Sequence, residues 1–256
     1  MRPYYLAILI GIFTLNSAEA AIILNSPAVY TQDFNSLVSS EFSSSTPFGW
    51  NFLETGINAN TTYSAGTGSS TTGNTYSFGT GTDSDRAFGG LRSGNLIPTI
   101  GASFTNEGAT AIESLQINYV GEQWRLGTVN RVDQLDFQYS LNATTLNLGT
   151  WVDHNALDFT TPFITTVGSR DGNVAANRTL LSSSLNGLNL GVGETIWIRW
   201  TDLDAFDSDD GLAIDDFSLT ASFAAVPEPS SIAFLLASGL GAACYKNRRR
   251  RCGQTT

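Results

Sequence analysis

The chain is poor in the side chains that carry most enzyme chemistry. Its two cysteines, Cys244 and Cys252, both lie in the last thirteen of 256 residues. Everything before them therefore lacks a disulfide, a thiolate nucleophile and a Cys-ligated metal. A single histidine, His154, leaves a zinc site without a ligand set and offers a Ser-His-Asp triad only one choice of base. No serine stands in a nucleophile-elbow pattern, and no Gly-Lys-Ser/Thr run is present to cradle phosphate. Positive charge is scarce as well. The only lysine, Lys246, and four arginines sit in the tail, so residues 21–226 hold seven arginines against twenty-one acids, a balance of −14. Such a surface repels phosphate backbones and anionic lipid, which argues against nucleic acid as a partner of this body.

The two ends read as addresses. Arg2 precedes the apolar run 4–15, and Ala18 and Ala20 supply the small residues that a signal peptidase reads. Residues 1–20 are thus a predicted signal peptide removed before Ala21, the apolar run being short of the ~20 residues that span a bilayer. At the other end, residues 230–245 carry no charge and are followed by Lys246 and Arg248, Arg249, Arg250 and Arg251. As a helix this stretch reaches roughly 24 Å, a little less than the ~30 Å hydrocarbon core. The arginine block stays cytoplasmic by the positive-inside tendency and leaves the body outside, in agreement with the signal peptide. Pro227 and Pro229 flank Glu228 and keep a helix from running back into the body.

Pro227-Glu228-Pro229, an apolar span and an arginine cluster, in that order, resemble the PEP-CTERM sorting signal of Gram-negative bacteria. The resemblance covers about the last thirty residues, from 226 to 256, and departs from the pattern only in the tail 252–256. It implies recognition by an exosortase, cleavage near the Pro-Glu-Pro, and delivery to the cell surface or the extracellular polysaccharide matrix. The precursor would be held in the inner membrane by its C-terminal helix until processed.

Between these ends, hydrophobic residues recur at period two. Leu135, Phe137, Tyr139 and Leu141 alternate with polar neighbours, as do Leu115, Ile117 and Tyr119, and Ile196, Ile198 and Trp200. This is the signature of half-buried strands. Gly, Ser, Thr and Asn clusters separate them, and no apolar spacing of three and four residues is sustained. Roughly ten such strands without internal repeats predict an all-β domain over 21–225: an antiparallel two-sheet β-sandwich, jelly-roll-like, flanked by an N-terminal signal helix and a short C-terminal membrane helix. The Gly/Ser/Thr-rich stretch 66–81 reads as a loop within that domain. The segments 90–104, 121–127 and 209–219 ("DDGLAIDDFSL") also resemble a β-sandwich domain that recurs among exosortase-sorted proteins, which implies fold and little chemistry.

The densest polar cluster is "TDLDAFDSDDGLAIDDFSL", which holds Asp202, Asp204, Asp207, Asp209, Asp210, Asp215 and Asp216. Like charges at this density are solvated, protonated or neutralised, and Ca²⁺ is the extracellular cation that takes many hard oxygen ligands from loops. The spacing is not that of an EF-hand. Jelly-roll modules that bind structural Ca²⁺ draw ligands from their first and last strands, and by that resemblance Asp33 of "TQDFNSL" joins Asp215 and Asp216 as candidate ligands. The alternative is a solvated acidic loop whose Asp215 or Asp216 pairs with an arginine.

Five tryptophans raise the question of a sugar platform. Trp124, beside Glu122 and Arg125, is the candidate for stacking on a glycan, against the alternative that strand tryptophans, Trp200 above all, are core. Arg199 between Trp197 and Trp200 is expected to stack on an indole. Glycosidase chemistry needs two placed carboxylates, and Glu54, Glu113 and Glu122 are candidates by composition alone. The sequence thus points to an exported surface or matrix protein, structural or glycan-associated and without catalysis. A surface polysaccharide hydrolase and a Ca²⁺-dependent adhesion module are the alternatives.

Overall fold

A computed structural model describes residues 20–226. The signal peptide ahead of Ala20, the motif residues Pro227, Glu228 and Pro229, the apolar span and Arg248 to Arg251 lie outside the described residues. Among the described residues no helix is long and apolar enough to cross a membrane.

In chain order the strands are β1 (Ile22–Leu24), β2 (Tyr30–Gln32), β3 (Phe42–Ser43), β4 (Trp50–Thr55), β5 (Tyr63–Gly66), β6 (Asn74–Phe78), β7 (Ala87–Leu91) and β8 (Ile97–Asn106). They continue as β9 (Ile112–Leu126), β10 (Gln134–Ser140), β11 (Val152–Asp153), β12 (Phe159–Thr160), β13 (Gly168–Ser169), β14 (Arg178–Leu190), β15 (Thr195–Asp202) and β16 (Gly211–Phe223). Two single-turn 3₁₀ helices, Asn155–Leu157 and Ala175–Asn177, are the only helical segments among the described residues. The low helix content follows from the missing three-and-four spacing.

The strands form two sheets. One has β8, β15 and β10 at its centre, with β1 and β4 along the free edge of β8 and β11 and β12 along that of β10. The other runs β9-β16-β7-β6-β5-β3, with β13 and β14 beside β9 and β2 beside β16. Most pairs are antiparallel, but β1/β8 and β5/β6 are parallel, so both sheets are mixed where the sequence predicted purely antiparallel pairing. β1 meets β8 from far along the chain, whereas β5 and β6 are joined by the short loop 67–73, and the local pattern of either strand does not record the relative direction. The 66–81 stretch is part of this domain: β5 ends and β6 lies within it, joined by a loop over 67–73.

The core lies between the sheets. Leu115, Ile117 and Tyr119 of β9 and Ile196, Ile198 and Trp200 of β15 are buried as their alternation predicts, as are Leu135 and Phe137 of β10. Tyr139 is half-buried, and Leu141 falls just beyond β10 and is exposed. Trp200 sits at the centre of an aromatic cluster, 6.0 Å from the stacked Trp50 and edge-on to Tyr119 at 5.2 Å, Phe137 at 5.1 Å and Phe217 at 5.9 Å. Arg199 faces the other way and stacks on an indole as expected, that of Trp151 at 4.0 Å rather than its strand neighbours.

The outer face of β9 changes character along its length. Gln116 and Asn118 hydrogen-bond to Ser182, Ser184 and Ser218 on the neighbouring strands. Further along, Glu122 and Trp124 on the same face are fully buried. The backbones at Gly68 and Gly172 lie directly against Trp124, where an added Cβ would fall within 2.4 Å of Trp124 atoms.

Candidate functional site

Strand alternation dictates where the acidic run lands. Ile196, Ile198 and Trp200 point inward, so Asp202, two residues on, also points inward, at the very end of the core. Its backbone partner is Leu135 at the start of β10, which places Asp133 alongside. The segment 203–210 then crosses from β15 in one sheet to β16 in the other and brings Asp209 and Asp210 to the same end. One carboxylate oxygen from each of Asp133, Asp202 and Asp209 lies within 4.8 Å of the other two, and all three side chains are buried.

These acids are unequally satisfied. Asp210 accepts from the Gly127 amide at 2.7 Å and from Gln123 Nε2 at 3.1 Å, and pairs with Arg131 at 3.3 Å. Asp133 accepts from the Gln134 and Asp210 amides at 2.9 and 2.7 Å and pairs with Arg131 at 3.0 Å. Asp202, by contrast, is 2% exposed and neither of its carboxylate oxygens has a partner, while Asp209 leaves its Oδ1 unpartnered. Arg92 is near, but it donates to the Asp202 backbone carbonyl at 2.8 Å and pairs with Asp204 at 3.2 Å. Burial, reinforced by Asp133 and Asp209, holds the Asp202 carboxyl well above the usual carboxylate range. Burial also raises Asp209 to about 6 and Asp210 to about 7.

Above this cluster opens a cleft of about 430 Å³ whose walls include Arg92, Ser93, Arg125, Asp207, Ser208 and Asp209. Phe206, 88% exposed, immediately precedes the lining residues Asp207 and Ser208.

The other acidic residues fall elsewhere. The Phe217↔Gln32 register sets Asp33 opposite Asp216, and both line a shallower cleft of about 230 Å³. Asp216, in a bulge at φ +48°, pairs with Arg178 at 3.3 Å. Asp215 is turned away to the outer face beside Glu122, so the three residues expected as one ligand set do not converge, and none belongs to the close-set triad. Glu122 accepts from Trp124 Nε1 at 3.0 Å and lies 3.9 Å from Arg178. Burial raises Glu122 to about 7 and Asp215 to about 8, each further raised by neighbouring acids. At 0% and 3% exposure this carboxylate pair is closed to a polysaccharide chain. Glu54 is occupied structurally, accepting from the Thr75 amide at 2.7 Å and from Asn60.

Trp124 corrects an expectation. It is 1% exposed and stacks on Phe78 at 5.8 Å, inside a second apolar cluster on the outer face of the sheet, so its indole is not offered to a sugar. The loops that roof it are distant in sequence, and period-two reading of β9 alone could not foresee them.

Comparison with known proteins bears on the C-terminus. Residues 225–251 match the family model described as the PEP-CTERM protein-sorting motif. The chain carries a PEP-CTERM sorting motif. The PEP-CTERM match includes Pro227, Glu228, Pro229 and Arg248 to Arg251, and it implies an exported protein sorted to the cell surface. No curated protein matches the chain. Among solved structures, the K3 cleaved adhesin domain of Lys-gingipain from Porphyromonas gingivalis is 12% identical, covering 75% of this chain and 98% of that one at a TM-score of 0.44. The xylan-binding module CBM15 is 11% identical, with 78% and 100% covered and a TM-score of 0.35. The CBM22-1 xylan-binding domain of Paenibacillus barcinonensis Xyn10C is 9% identical, with 79% and 99% covered and a TM-score of 0.34. At these TM-scores the likeness carries no ligand assignment.

Proposed function

We propose that the mature protein is a non-catalytic β-sandwich of the cell surface or extracellular matrix that associates with surface polysaccharide through the cleft beneath the 203–210 segment. Before release, the precursor is held in the inner membrane by its uncharged C-terminal span and is then cut by an exosortase. The sorting motif supports the address. The cleft supports the partner: its walls combine guanidinium donors from Arg92 and Arg125, carboxylate acceptors from Asp207 and Asp209, and the hydroxyls of Ser93 and Ser208. Such a lining matches the dense hydroxyls of a glycan. The observation that carries the reading is Phe206, a large aromatic left 88% exposed and next in sequence to the cleft residues Asp207 and Ser208, where a ring can stack on a sugar face.

Affinity electrophoresis of the exported protein in the producing cells' own extracellular polysaccharide tests this. Phe206→Ala, which removes no buried contact, is expected to weaken retention about five- to tenfold, as loss of roughly 1–1.4 kcal/mol of stacking predicts. Equal retention of the wild type and variant would sink the reading.

The address has its own test. In cells lacking the exosortase, the precursor is expected to keep its C-terminal segment and to fractionate almost entirely with the inner membrane. Unchanged processing and release there would remove exosortase sorting from the account.

A further inference from the structure

We propose that Asp133, Asp202 and Asp209 are the carboxylate ligands of a Ca²⁺ ion that clamps the ends of β10, β15 and β16 across the two sheets. The inference goes beyond polysaccharide association and stands without it.

The geometry supplies the first argument. Oxygens bound to one Ca²⁺ at about 2.4 Å can lie no more than about 4.8 Å apart, and the three carboxylates meet that limit as folded. The donor set supplies the second. All three ligands are hard carboxylate oxygens, with no cysteine in the body and with the single histidine, His154, engaged by Ser183 at 2.9 Å, so zinc and other metals that favour nitrogen or sulfur are not matched.

The third argument is independent of the clustering. Asp202 is 2% exposed with both carboxylate oxygens unpartnered, and its oxygen belongs to the close-set group. A buried carboxylate with no donor and two acidic neighbours is strongly unfavourable unless something supplies positive charge or a proton. The nearby arginines supply it only in part: Arg131 pairs with Asp133 and Asp210, and Arg92, which pairs with Asp204 and donates to the Asp202 backbone carbonyl, lends Asp202 some positive charge but no hydrogen bond to its carboxylate. A divalent cation answers the vacant oxygens of Asp202 and Asp209 together. It would also anchor the 203–210 segment, whose residues Leu203, Asp204, Phe206, Asp207 and Ser208 are all exposed.

The test uses the exported protein stripped with EDTA and dialysed, with metal content read by mass spectrometry and unfolding followed by calorimetry. Ca²⁺ at about a hundredfold excess over its dissociation constant is expected to raise Tm by about 5–10 °C, with one ion bound per chain and a much smaller response to Mg²⁺. Asp202→Asn is expected to abolish that rise while leaving the metal-free protein at least as stable as the wild type, because it removes an uncompensated charge and keeps the shape. Asp209→Asn serves as a second variant should the first fail to fold, and is expected to lose the response too. Asp33→Asn should keep the response, as should Phe206→Ala, which separates failure of this site from failure of polysaccharide binding. No Ca²⁺ response in the wild type would overturn the proposal and assign Asp202 a bound proton instead. A response that survives Asp202→Asn would overturn it too, by placing the ion elsewhere.

Discussion

Trp200→Ala is expected to destabilise the folded body by about 3–5 kcal/mol, the range for truncating a fully buried large aromatic. For a domain of this size that lowers Tm by about 10–15 °C. Trp200 is 1% exposed and touches aromatic side chains from both sheets: Trp50 and Phe137 from its own, Tyr119 and Phe217 from the other. Truncation therefore leaves a cavity at the junction of the layers, where strand backbones cannot close in without breaking ladder hydrogen bonds. Trp151→Ala is the internal control. Trp151 is half-buried, packed against the small cluster of Ala143, Leu146 and Trp197 with the Arg199 guanidinium over its ring, so its loss is expected to cost less, about 1–2 kcal/mol. Thermal unfolding of the two variants side by side checks the placement; similar costs would mean that Trp200 is not the centre of the core.

The second large effect is a dependence of stability on pH. Glu122 and Asp215 share the covered outer face of the β9/β16 pair, with Arg178, Asp216 and Asp85 as charged neighbours. Burial raises their carboxyls from the usual 4.5 and 3.8 to about 7 and about 8. In the unfolded chain both acids lose their protons near pH 4, whereas the folded protein keeps them until pH 7–8. The folded state therefore binds more protons in this window, and stability must fall as pH rises. The contribution is complete below about pH 4 and is lost on passing pH 8. Since each pKa unit corresponds to about 1.4 kcal/mol and the two sites are coupled, a change on the order of several kcal/mol is at stake. Melting curves from pH 5 to pH 9 should show Tm falling, and the double variant Glu122→Gln with Asp215→Asn should make the slope shallower, the remainder coming from the raised carboxyls of Asp202, Asp209 and Asp210. A wild-type Tm that rises over the same interval would show that these acids are ionised when folded.

How much of this could be read ahead differs from residue to residue. The inward series Ile196, Ile198 and Trp200 was legible because side-chain direction along a strand is a local property. The same rule extended two residues would have turned Asp202 inward, and that was the available signal for the acidic site. Asp133 gave none, being separated from Asp202 by all of β10 to β14 and nearly all of β15. Asp33 and Asp216 do share a cleft, as the pairing of an early strand with the last implies, but the bulge between Asp215 and Ser218 shifts the register and turns Asp215 to the other face.

By itself the sequence determined the address, the all-β class and the chemistry that is missing. Charge asymmetry, apolar run length and period-two alternation are written in contiguous residues and act before any long-range contact forms. Only the tertiary structure decided which acids meet, that Trp124 is roofed over, and that two strand pairs run parallel. All but the parallel β5/β6 pair depend on a loop closing between segments far apart in the chain, where burial and charge are set by neighbours that no local window contains.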